Sequence, residues 1–79
     1  MATVIVGKHT IEAKNSILGI ETVSYDSQVK SKSASLRGRT HRFTVEEDGQ
    51  QVAYEVDVKV GFTGTHLCIR RNGMTVFTD

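Results

Sequence analysis

Two alternating runs flank Asp48-Gly49, and no other feature constrains the fold of this chain as strongly. Asp-Gly is favoured in a two-residue type I′ turn because both central positions need positive φ, and such a turn fixes the pairing of the strands it joins. Counting outward sets Val45 against Val52, Phe43 against Tyr54 and His41 against Val56 on one face. On the other face Arg42 meets Glu55 and Glu46 meets Gln51. Apolar residues oppose apolar ones and plus opposes minus, the pairs that stabilise a sheet. Tyr54, Val56, Val58 and Val60 continue as an inward stripe while Glu55, Asp57 and Lys59 point outward. That period of two is the signature of a half-buried antiparallel strand.

Two further turn signals extend the pattern. Asn72-Gly73 joins His66–Arg71 to Met74–Asp79 and places Ile69 opposite Val76 and Cys68 opposite Phe77. Gly7-Lys8 fits a Gly-X type II′ turn that sets Val6 beside His9 and Val4 beside Ile11. The short link Gly61-Phe62-Thr63-Gly64 makes the last hairpin follow the previous one as a meander. Ile17–Tyr25 mixes helical and alternating spacing, and the β-branched Ile20, Thr22 and Val23 favour a strand. Beyond it, Asp26–Gly38 has no large apolar residue except Val29 and Leu36, so the reading there is one long basic loop, residues 26–39. The expected fold is a single all-β domain over residues 1–79, an antiparallel meander of about six or seven strands forming a sandwich or open barrel.

A chain of 79 residues buries only roughly 60% of the surface its unfolded form exposes, so its core is thin. The lone Cys68 cannot close a disulfide within the chain, and Trp is absent. Subunit association is the remaining source of buried area, and a homo-oligomer is expected. The apolar run in MATVIVGKHT is too short for a signal peptide, and no stretch approaches the roughly 20 apolar residues that span a membrane. These features lead us to expect a cytoplasmic protein without membrane partners. A net charge of +1 is far from that of a general nucleic-acid coat, which makes nucleic acid an unlikely partner and points to local recognition of a small anion.

The local charge lies between Ser27 and Val45, an acid-free stretch holding Lys30, Lys32, Arg37, Arg39 and Arg42, five of the ten Lys and Arg residues. Cations, serine hydroxyls and a glycine that permits a cradling backbone, Gly38, are the parts of a phosphate site. Arg42 is assigned to Glu55 by the hairpin register, whereas Arg39 shares the face of His41 and Phe43. Tyr25 flanks the stretch and could stack on a nucleobase, while Phe43 reads as core. The candidate ligand-binding residues are therefore Tyr25, Lys30, Lys32, Arg37, Arg39 and His41.

His66, Cys68 and Asp79 fall on one hairpin but show no recognised ligand spacing, so no metal or other cofactor is expected. His9, beside a turn, reads as exposed. Arg71 shares the face of Ile69 and Val76, so burial of that face would make it a pocket anchor or a rim residue. No nucleophile elbow, phosphate-binding glycine loop or paired catalytic carboxylates occur, and a non-enzymatic role is expected. A tiny proline-free β protein with a cationic segment and no catalytic motif resembles, in kind and over no alignable segment, the small viral sponge proteins that sequester nucleotide immune signals. That likeness implies sequestration of a nucleotide or cyclic dinucleotide, in the host cytoplasm, by a basic loop at a subunit interface. The competing expectation is a structural or protein–protein interaction module whose basic loop is merely solvated.

Overall fold

A computed structural model describes residues 2–16, 19–34, 38–61 and 64–79 of the chain. Its strands are β1 (Ala2–Val6), β2 (His9–Asn15), β3 (Ile20–Tyr25), β4 (Gln28–Ala34), β5 (Thr40–Glu47), β6 (Gln50–Gly61), β7 (Gly64–Arg71) and β8 (Met74–Thr78). They form two four-stranded antiparallel sheets in the orders β1-β2-β3-β4 and β5-β6-β7-β8. Within each sheet every strand pairs with its neighbour in sequence, as a meander requires. The expected all-β class holds, with eight strands rather than six or seven. No barrel closes, because among the described residues neither β4 with β5 nor β1 with β8 shares a ladder.

The turn chemistry sets the registers. Asp48 and Gly49 take φ of 52° and 78°, and Val45↔Val52, Phe43↔Tyr54, His41↔Val56 and Arg42↔Glu55 pair as the turn dictates. Gly7 alone turns positive in the first hairpin, at 62°, and Val6↔His9 and Val4↔Ile11 follow. Asn72 and Gly73 turn at 50° and 83°, but the ladder beyond them slips by one residue. Cys68 faces Thr78 and Ile69 faces Phe77, with Val76 as the extra residue of a bulge. The bulge corrects the expected Ile69–Val76 and Cys68–Phe77 pairs. It turns Phe77 onto the core and leaves Val76 exposed.

The largest correction concerns residues 26–39, which are not one long loop. Asp26 and Ser27 take φ of 48° and 69° and form a fourth tight turn, from which Gln28–Ala34 runs back along β3. Ser31 and Ser33 are its inward positions and are half-buried, while Lys30 and Lys32 are exposed. A polar inward face is what concealed this strand from hydrophobic patterning. Gly38 is also explained by packing rather than by an anion cradle. Its φ is 103°, and a Cβ there would sit 2.0 Å from the Val58 carbonyl oxygen, where the Val58 amide donates to the Arg39 carbonyl at 2.9 Å.

One core joins the sheets. Val4, Ile11, Ala13, Val23 and Tyr25 from the first sheet pack with Val45, Val52, Tyr54, Val56, Val58, Leu67 and Ile69 from the second. Tyr25 meets Tyr54 and Phe43 at ring separations of 5.6 and 6.1 Å across the gap. Truncating a fully buried member such as Ile69 to Ala is expected to cost about 2–5 kcal/mol.

Candidate functional site

Alternation along β2, β3 and β4 sends Ala13, Val23 and Ser31 inward, so Lys14, Thr22 and Lys32 project from the outer face. The ladders align them, with Lys14 opposite Thr22 and Thr22 opposite Lys32. Adjacent strands lie about 4.8 Å apart, so the two lysines start about 10 Å apart across β3. Their flexible stems let both ammoniums meet over the Thr22 hydroxyl. Lys30 joins them from the bulge that the β3–β4 ladder makes at Val23/Ser24. Among the described residues none of these lysines has an ion-pair partner, and Glu12 is the one acidic side chain on the outer face of β1–β4.

The outer face of the second sheet is different in kind. Glu55 there receives Arg70 Nη2 at 3.2 Å and lies 3.8 Å from Arg42 Nε. The assignment of Arg42 to Glu55 therefore holds, and Arg70 shares the acid. Both arginines of this face are paired internally, whereas its Lys59, like the lysines of the Lys14–Lys32 face, has no ion-pair partner among the described residues.

The candidate residues read from sequence separate into three places. Lys30 and Lys32 belong to the lysine face. Arg39 is exposed on the opposite side of β4, where its Nη1 donates to Ser33 Oγ. His41 is buried, with Nε2 2.6 Å from Glu21 Oε1 and Nδ1 2.6 Å from Ser31 Oγ. Tyr25 is buried with its phenol on Glu47. Arg37 lies outside the described residues. Of the described candidates the fold therefore brings only Lys30 and Lys32 together on one surface, and adds Lys14 and Thr22, which hairpin counting did not reach because the β2–β3 connection carries no two-residue turn signal.

Glu21, His41 and Ser31 form a chain from β3 through β5 to β4. Glu21 is fully buried and His41 is 2% exposed. The two ring nitrogens of His41 thus bridge the Glu21 carboxylate and the Ser31 hydroxyl. The connectivity is that of a nucleophile, a base and an orienting acid. Neither of the two clefts described below includes Ser31, and what its contacts establish is a link between strands. It fastens β4 to β5, which share no ladder, and Arg39 with Ser33 adds a second clasp to the same seam.

The second interior carboxylate, Glu47, closes the end where the tight turns gather. Its Oε2 accepts from the phenols of Tyr25 and Tyr54, the latter at 2.7 Å. Its Oε1 accepts from Arg71 Nε at 3.1 Å and Nη2 at 2.8 Å. Burial alone would push Glu47 upward, but the hydrogen bonds from Tyr25, Tyr54 and Arg71 carry it down to about 2. Burial first, and then the bond to that carboxylate, raises both phenols, Tyr54 to about 12. Arg71 is thus an anchor at the rim, since Ile69 on its face is fully buried. His9 is held as well, stacked on Tyr25 at 4.9 Å and 2.7 Å from Asp26 Oδ2 through Nδ1, so it is not the free exposed residue that its place beside a turn implied. Asp26 is lowered by His9 and by the Thr10 amide.

A cleft of about 330 Å³ lies over this cluster, bounded by Val6, Lys8, His9, Asp48, Tyr54 and Arg71. With four donors, both Glu47 oxygens are saturated. The central acid has no free valence for a ligand, and the opposed Lys8 and Asp48 leave the cleft without a dominant charge. A smaller cavity of about 80 Å³ is lined by His66, Cys68 and Asp79 among others, with His66 Nδ1 3.8 Å from Asp79 Oδ1.

Comparison with known protein families, with curated proteins and with solved structures returned no match for this chain.

Proposed function

We propose that this domain is a non-enzymatic binding protein for a small phosphorylated ligand of the nucleotide class, taken up on the outer face of the first sheet. The observation that carries this reading is the row Lys14–Thr22–Lys32, flanked by Lys30, whose cations have no ion-pair partner among the described residues while the arginines of the other outer face do. Two ammoniums and a hydroxyl over one strand suit a tetrahedral phosphate, which accepts several charge-assisted bonds at once. Backbone groups of the interior strands β2 and β3 are occupied in ladders, so recognition on this face falls to side chains, and affinity is expected to weaken as salt screens the exposed charges. Relative to the sequence reading, the ligand class stays and the site moves from a basic loop to a flat basic sheet face.

A thermal-shift screen against mononucleotides, cyclic nucleotides and cyclic dinucleotides tests the proposal. A ligand at 100 times its Kd stabilises the fold by about 2.7 kcal/mol, a readily measured rise in Tm. Lys14→Glu with Lys32→Glu is expected to abolish that rise while leaving the unliganded fold intact, because both side chains are exposed. A shift that survives this double substitution but disappears on changing Lys8 and Arg71 would place the ligand in the turn-end cleft instead. No shift with any phosphorylated compound would sink the reading.

A further inference from the structure

The two sheets have four edge strands, β1, β4, β5 and β8, and each edge is a row of backbone groups open to pairing with another chain. Three of them are guarded. β4 carries Lys30 and Lys32 and a bulge. β5 carries Arg42, Glu46 and Glu47, and its start is fastened to β4 through His41–Ser31 and Arg39–Ser33. β8 has the bulge at Val76. β1 has none of these devices. Ala2-Thr3-Val4-Ile5-Val6 contains no charge, pairs with β2 without a register shift, and leaves Ile5 73% exposed. Among the described residues no side-chain hydrogen bond or ion pair fastens it to the second sheet, although it runs beside β7 and β8.

We infer that β1 pairs antiparallel with β1 of a second copy of this chain, joining the two first sheets into one continuous eight-stranded sheet. Charge selects the occupant. A two-fold pairing centred on Val4 sets Thr3 against Ile5 of the partner subunit and Ala2 against the partner's Val6, with no like charges opposed. The same operation on β4, centred on Ser31, would set Lys30 directly against the partner's Lys32, which is repulsive. The inward stripe also gains, since Ala2 and Val6 lie at the margin of the core and the partner's stripe covers them. A two-fold axis normal to the sheet leaves both Lys14–Lys32 faces on the same side of the joined sheet, so, resting on the function proposed above, the dimer presents two anion-binding patches to one ligand surface.

Light scattering coupled to size-exclusion chromatography of the full chain, over a concentration series, tests the inference. The unmodified protein is expected to run as a dimer. Ile5→Lys places lysines opposite the threonines at a strand-to-strand contact and strips its largest apolar side chain, and is expected to raise the dimer dissociation constant roughly tenfold or more. Circular dichroism should show the folded monomer retained, because Ile5 is outside the core. Met74→Lys, on β8, should leave the dimer unchanged. A wild-type chain that stays monomeric throughout, a dimer indifferent to Ile5→Lys, or one broken by Met74→Lys would each overturn the assignment.

Discussion

Glu47 and Glu21 are both buried carboxylates at inward strand positions, and they solve the same problem in opposite ways. Glu47 gathers four donors from three strands and stays ionised at low cost, with Arg71 supplying the opposite charge. Among the described residues Glu21 has one partner, His41, and its Oε2 is buried without a hydrogen bond. An unsatisfied buried oxygen costs about 1–3 kcal/mol. The first carboxylate is therefore a net fastener of the turn end, while the second is retained at some cost to position His41 at the β4–β5 seam. Burial alone does not tell the two apart; the number of donors does.

The largest expected effect is at the saturated acid. Glu47→Ala strands two phenols and a guanidinium, and urea denaturation is expected to show a loss of about 3–5 kcal/mol. Glu21→Gln keeps the acceptor for His41 and is expected to cost about 1 kcal/mol or less. Equal losses for the two would erase the distinction. A middle-sized effect tests the seam. His41→Leu leaves Glu21 with no donor at all and is expected to cost about 2–4 kcal/mol, whereas the double variant Glu21→Leu with His41→Leu removes both polar groups and should recover much of that loss. If the double variant were no better than the single, Glu21 would be better satisfied than its contacts indicate.

The same comparison extends to pH. Glu47 falls from 4.5 to about 2 on folding, so its share of stability is complete above pH 4.5 and is lost as the pH falls toward 2. Tyr54 rises from 10.0 to about 12, so its share is present below pH 10 and is lost as the pH climbs toward 12. Stability measured across both windows should decline at each end in the wild type, and the acid-side slope should shrink in Glu47→Ala. A slope unchanged by that substitution would assign the acid response to other carboxylates.

Much of this architecture was legible in the residues. Asp48-Gly49 fixed eight-residue β5 against β6 because its turn type admits one register, and Gly7-Lys8 did the same for β1 and β2. Two things escaped. β4 escaped because Ser31 and Ser33 face inward and are satisfied by His41 and Arg39, contacts that no local pattern announces. Asp26-Ser27 also lacks the glycine that marks the other three turns. Glu47 could have been found, since Phe43 and Val45 set an inward parity that continues onto it. Its nearness to the turn made it look solvated. The Val76 bulge leaves no trace in composition, and it alone accounts for the altered partners of Ile69 and Cys68. Of the six residues singled out for binding, Lys30 and Lys32 share a face, because charge survives the change from loop to strand and only the neighbours differ.

The strict order of the meander has a consequence for how the chain acquires its shape. All six ladders join consecutive strands, so backbone pairing proceeds by closing short loops, whose entropy is small. The distant contacts, Tyr25 with Glu47 and Glu21 with His41, belong to a single docking event between halves that are each contiguous in sequence. Low contact order of this kind favours fast folding for a β protein. It also leaves the first half able to zip before the second has been synthesised, so the Glu21–His41 and Tyr25–Glu47 contacts are made last.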